Sequence, residues 1–183
     1  MSSPKRCRII CAESLSAAEL SRADKACDGA ALCKADFTMI PPSTLFLTST
    51  DTTVGFLSQD PAILDRAKGR PAGMPYLRVL PSLSALRERT RVPRSHRRRL
   101  RRAVHTTFIF PKGEAYRIVR DLRHLLLLER LGWAYSSSAN PSGGAYDEAF
   151  ARSCADIVVE PLRLARPPSS IYRLGRHKIR KIR

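Results

Sequence analysis

The chain has 183 residues and a formal net charge of +17, and that length favours a single domain. Hydrophobic residues make up 43% of it, enough to build a packed core, so a wholly disordered chain is excluded. No apolar run approaches the roughly 20 residues of a membrane helix, and "IICA" is too short for a signal-peptide core, so a cytoplasmic protein with no membrane partner is expected.

Residues 1–40 stand apart from the rest. They are rich in Ala and Cys and carry six basic against five acidic side chains, whereas 27 basic and 11 acidic ones follow from Pro41 onward. We read 1–40 as an N-terminal extension, poorly ordered or the product of a mis-assigned start, with a short helix over residues 14–25. Residues 41–183 form the domain. The five cysteines include no C-x-x-C pair, and Cys7, Cys11, Cys27 and Cys33 have no histidine near them in sequence. Reduced thiols are therefore expected in preference to a zinc site. The positive balance of the domain points to a polyanionic partner: nucleic acid, nucleotide phosphates or an acidic surface.

Residues 44–49, "TLFLTS", read as a strand followed by the polar turn "STDTTVG". Pro61 opens a helix that runs to Lys68, since proline suits a first helical turn. "PYLRVLP" reads as a strand, residues 82–89 as a helix, and Pro93 starts a strongly basic helix ending at Arg102. "TTFIFP" and "AYRIV" read as strands around a Lys112-Gly113 turn, the pattern of a hairpin. Residues 121–131 form a helix that Gly132 stops. A strand over 133–136, a helix over 146–154 and the strands "DIVVE", "SSIYRL" and "KIRKI" complete the chain. Strands and helices alternate throughout, so the expected fold is α/β with a mixed sheet.

Four polar clusters fall at strand ends or turns: residues 49–53 closed by Gly55, Lys68-Gly69-Arg70-Pro71, Ser138-Ala139-Asn140 with Ser142 and Gly143, and Ser169-Ser170. None contains a nucleophile beside a base, and His96, His105, His124 and His177 sit in no nucleophile motif. Neither G-x-x-x-x-G-K-[ST] nor G-x-G-x-x-G occurs. Cations, hydroxyls and amides remain, which are the equipment of anion binding. Phosphoryl and adenylyl transfers run largely on such positioning and charge neutralisation.

The order "STDTTVGF", "KGRP", "AYRIVRD", "SSSANPSG", "PSSI" resembles the YrdC-like family of threonylcarbamoyl-adenylate synthases, in its short, compact form. The resemblance covers Leu45 to about Ile182 and is strongest in the T-D-T-x-x-G and S-A-N-x-S-G pieces. It implies a single-domain, YrdC-like twisted mixed β-sheet flanked by helices. It also implies an enzyme that combines ATP, bicarbonate and L-threonine into threonylcarbamoyl-adenylate and pyrophosphate. That product feeds threonylcarbamoyladenosine modification of tRNA, with tRNA and other tRNA-modification proteins as partners and Mg²⁺ as the accompanying ion. Carried over residue by residue, Lys68 and Arg70 would grip ATP phosphates, and Ser138, Asn140 and Ser170 would bind the nucleotide. Thr50 and Thr52 would line the threonine pocket, and Arg117 would sit by the carboxylate and phosphate. Lys68, Arg70 and Arg117 are thus the implied catalytic set. The chain departs from the pattern at Ser49, Met74 and Val104-His105-Thr106. The C-terminal arginine at the nucleotide is Arg180 or Arg183.

A second reading rests on charge alone. Residues 87–102 hold nine arginines against Glu88, and helical spacing sets Arg94, Arg98 and Arg101 near one face. That is a phosphate-backbone surface, as a non-catalytic double-stranded RNA or tRNA-binding module of the same fold would carry. With no aromatic residue in the segment, stacking on single-stranded bases is not expected from it.

Overall fold

A computed structural model describes residues 7–10, 40–162 and 168–183. Its ten strands are β1 (Cys7–Ile10), β2 (Phe46–Ser49), β3 (Val54–Ser58), β4 (Leu77–Leu80), β5 (Thr106–Ile109), β6 (Ala115–Ile118), β7 (Ala134–Ser138), β8 (Ile157–Glu160), β9 (Ser170–Leu174) and β10 (Ile179–Lys181). They form one sheet in the order β1-β8-β2-β3-β7-β4-β6-β5-β9-β10. The pairs β1·β8, β2·β8, β4·β6 and β5·β9 are parallel and the other five antiparallel. The expected mixed-sheet α/β fold is therefore present.

Five described helices flank the sheet: α1 (Pro61–Lys68), α2 (Leu83–Arg89), α3 (Arg94–Arg102), α4 (Leu122–Leu131) and α5 (Glu148–Cys154). Their ends follow from local chemistry. Asp60, Ser82, Asp121 and Asp147 each accept a hydrogen bond from a first-turn amide, which satisfies a donor the helix leaves orphaned. Gly69 closes α1 in the left-handed conformation (φ 60°), where a Cβ would be strained.

Both faces of the sheet are covered, so the central strands do not alternate polar with apolar. Phe46 and Leu57 face a layer formed with Leu127 and Leu128 of α4. Leu47 and Phe56, one residue along, pack with Leu64 of α1 and Ala151 of α5. A third cluster joins Leu86 of α2 and Leu100 of α3 to Phe108, Phe110, Tyr116 and Leu174.

Two strands differ from the sequence reading. β3 begins at the end of the stretch read as a polar turn and runs on through residues given no element; its five residues are all buried, so it carries no two-residue periodicity to betray it. β1 comes from the segment read as an extension, and it lies on the outer edge of β8. The helix expected over residues 14–25 lies outside the described residues, as does the order of most of that segment. Because β8 is also paired with β2, removal of residues 1–38 is expected to leave a folded protein. A chain starting at Met39 should match the full chain in melting temperature and ATP titration; insolubility or weakened nucleotide affinity would put the boundary elsewhere.

Candidate active site

The β2–β3 turn is the junction on which the polar motifs converge. Thr50 builds it. Its hydroxyl donates to the Thr53 carbonyl at 2.6 Å and accepts from the amides of Thr52 and Thr53. That hydroxyl is committed to the turn. Asp51 and Thr52 are instead turned inward, 1% and 9% exposed.

They meet Arg117, whose side chain rises buried from β6. Nη1 of Arg117 donates to Asp51 Oδ1 at 2.7 Å and to Thr52 Oγ1 at 3.3 Å. Nε and Nη2 both reach Thr107 Oγ1 on β5, and Nη2 also reaches Ser169 Oγ at 2.8 Å. A guanidinium has five N–H donors, and five hydrogen bonds are made here. The consequence falls on the hydroxyls. Thr52 and Ser169 accept from Arg117, so their own protons are left to point elsewhere. Ser169, grouped with Ser170 in the sequence but given no role by the resemblance, is the serine that meets Arg117. The P-S-S-I match points to Ser170, which opens β9 with its amide donating to the His105 carbonyl. Only the tertiary contact with Arg117 separates the two serines.

Around this ion pair sit two histidines. His105 Nδ1 lies 3.7 Å from Asp51 Oδ2, and neither atom has a hydrogen-bond partner. His105 is also the only non-glycine residue with positive φ (47°) among the described residues, a conformation that costs free energy unless its surroundings impose it. His124 of α4 is fully buried with neither ring nitrogen bonded. Burial pushes its pKa down to about 4; the Asp51 carboxylate opposes that shift and Arg117 adds to it.

The second group lies on the other flank of the same turn. A Cβ on Gly55 would fall 2.8 Å from the Ser137 carbonyl oxygen and 2.9 Å from the Thr50 methyl. β2–β3 and the end of β7 thus touch closely enough to require glycine. Just beyond, Lys68 at the end of α1 donates from Nζ to the carbonyls of Ser138 (2.9 Å) and Asn140 (2.7 Å). Burial lowers the Lys68 pKa, and the neighbouring Arg70 lowers it further. Asn140 folds its own loop, its amide donating to the carbonyls of Pro141 and Gly144. Arg70 stacks on the Tyr76 ring, 3.9 Å from its centroid, and donates from Nε to Asp65, while its Nη2 is buried without a partner. The lysine of K-G-R-P and the S-A-N loop are therefore in contact, which no spacing in the chain foretells.

Ser138 is exposed at the mouth of this loop. Arg183 donates to the Ser169 carbonyl at 3.2 Å, whereas Arg180 is exposed on β10 opposite Arg173; of the two C-terminal arginines, Arg183 approaches the site. Arg94, Arg98 and Arg101 are exposed on α3. Among the described residues no group of three or more His, Cys, Asp or Glu could hold a metal ion. Among them, too, no helix is long and apolar enough to cross a membrane.

Solved structures supply the comparison. The chain is similar to P. abyssi Sua5 complexed with L-threonine (TM-score 0.71, 18% identity), over 97% of this chain and 57% of that one. It is similar to E. coli YciO (TM-score 0.66, 14% identity) over 99% of this chain and 95% of that one. It also resembles the MTH1692 protein from Methanobacterium thermoautotrophicum (TM-score 0.58, 20% identity), over 77% and 80% of the two chains. The chain spans little more than half the length of Sua5. No family model matches it, and no curated protein matches it in sequence. The fold is YrdC-like.

Proposed function

We propose that the chain is an adenylate-forming enzyme. It condenses L-threonine with bicarbonate to a carbamate, with loss of water, and joins that carbamate to the α-phosphate of ATP, with pyrophosphate leaving, to supply threonylcarbamoyladenosine modification of tRNA. The observation that carries this reading is that two groups, each built around a buried cation, lie on the two flanks of the β2–β3 turn. One is the Arg117 array of Thr52 and Ser169 hydroxyls; the other is the Lys68–Asn140 loop.

On this reading the Thr52 and Ser169 protons go to the threonine carboxylate, and Arg117 acts from behind them. It neutralises Asp51 and fixes the hydroxyls. Lys68 and Arg70 take the outer phosphates of ATP, and Ser138, Asn140 and Ser170 take the adenylate. Fixed cations offset the charge that accumulates on the departing pyrophosphate. The Sua5 structure that carries L-threonine has the same fold, which supports threonine as the amino acid.

Two measurements test the reading. Pyrophosphate release from ATP should depend on L-threonine; release that ignores it, or none, removes the activity. Titrations with ATP and AMP then test the loop. Asn140→Ala removes an amide that closes the loop, and an unpaired polar group there should cost about 1–3 kcal/mol, a five- to 150-fold weakening of both ligands at about 1.4 kcal/mol per decade. Lys68→Ala should weaken ATP more than AMP. Normal binding of both ligands by Asn140→Ala, with a lower melting temperature, would reduce "SSSANPSGG" to a structural turn.

A further inference from the structure

The arginine-rich segment acquires a second half in three dimensions. α3 docks on the last two strands: Leu100 enters the same core cluster as Phe108 and Leu174, and His96 Nε2 lies 3.0 Å from the Gly175 carbonyl oxygen. Ser95 Oγ reaches the Arg176 carbonyl. This sets residues 87–102 beside residues 173–183, and together the two segments hold fifteen arginines and lysines against Glu88 alone. Among the described residues no ion pair involves any of those arginines or lysines. Mutual repulsion of that kind destabilises the folded chain until a polyanion neutralises it.

Between α3 and the β5–β9–β10 edge runs a groove of about 680 Å³. Arg98, Arg99, Arg102 and His177 line it, with Phe108 and Tyr172 among the apolar residues there, and none of its described lining residues carries a carboxylate. The Arg99 guanidinium stands over the Tyr172 ring, 5.0 Å from its centroid, and Tyr172 in turn stacks on Phe108. The aromatic surface that residues 87–102 lack is thus supplied by β9, far along the chain.

We propose that this groove binds single-stranded RNA, with a base laid on the outer plane of Arg99 and the flanking phosphates on Arg98 and Arg102. A guanidinium held over a ring is a flat, cationic group, and unpaired bases stack on such planes. A membrane surface fits less well. Helices that lie on bilayers present an apolar face, and the only buried residues of α3, His96 and Leu100, are spent on the core. An acidic protein partner would want an uncharged interface centre, which this groove does not offer. The site lies outside the ATP and threonine groups, so it stands or falls independently of the proposed enzyme activity.

The test is fluorescence anisotropy of the full chain with a labelled oligouridine, a hairpin RNA of equal charge, and phosphatidylserine vesicles, each over a range of salt. The oligouridine should bind best. The double variant Arg98→Glu, Arg102→Glu should lower the salt slope by about 1.4, at about 0.7 for each phosphate no longer neutralised. Arg99→Lys keeps the charge and removes the plane. It should weaken oligouridine about five- to 150-fold, as removal of one stacking partner does, and leave the salt slope unchanged. Circular dichroism melts confirm that each variant is folded. Hairpin binding equal to or tighter than oligouridine, or an Arg99→Lys variant that binds oligouridine normally, overturns the proposal. So does binding to vesicles without binding to RNA.

Discussion

Replacing Arg117 by methionine is expected to cost the fold about 3–5 kcal/mol, the range seen when one partner of a buried ion pair is removed. Asp51 is 1% exposed, and its Oδ2 already lacks a hydrogen-bond partner. Without the 2.7 Å bond from Nη1, a buried carboxylate would lose its guanidinium partner, leaving His105 Nδ1 at 3.7 Å as its nearest basic group. The same change unties Thr107 on β5, Thr52 in the β2–β3 turn and Ser169 ahead of β9, three segments that Arg117 holds together. Urea unfolding measures the effect. The companion variant, Arg117→Met with Asp51→Asn, should recover a large share of it, because a neutral amide no longer has to be charged in the core. A single-variant destabilisation under about 1 kcal/mol would mean that water solvates Asp51 and that the pair is not structural.

Acid is expected to destabilise this protein through His124. Its folded pKa is depressed to about 4 from the ordinary value of 6.5 by burial. The unfolded chain therefore binds a proton that the folded chain refuses at any pH between those two values. Stability due to the neutral imidazole is fully present above about pH 6.5. It is lost as pH falls through the window to about 4, a change of order 3 kcal/mol at 1.36 kcal/mol per pKa unit. His124→Leu removes the titrating group and keeps an apolar side chain in its place, so its stability should be nearly flat over that window where the parent's falls. Thermal melts at closely spaced pH values decide it. A parent curve as flat as the variant's would mean that His124 finds a proton acceptor which its geometry does not reveal.

Much of the architecture is local and legible in the chain. Pro61 and Asp60 start α1, Asp121 and Gly132 bracket α4, and the Lys112-Gly113 turn joins two strands that do pair as a hairpin. Each is decided by capping, by φ restriction or by turn chemistry within a few residues. The motif order also carried the YrdC-like fold. β3 escaped because a strand buried on both faces has no alternation to read. The roles of individual side chains escaped for a different reason. Which of Thr50 and Thr52 turns inward, and which of Ser169 and Ser170 meets Arg117, depends on where strands far apart in the chain come to lie. The same is true of Tyr172 beneath Arg99. Composition and short-range pattern set charge, caps and elements. Pairing across the sheet set the partners, because a guanidinium or a ring chooses among neighbours that only the folded chain brings within hydrogen-bond or stacking distance.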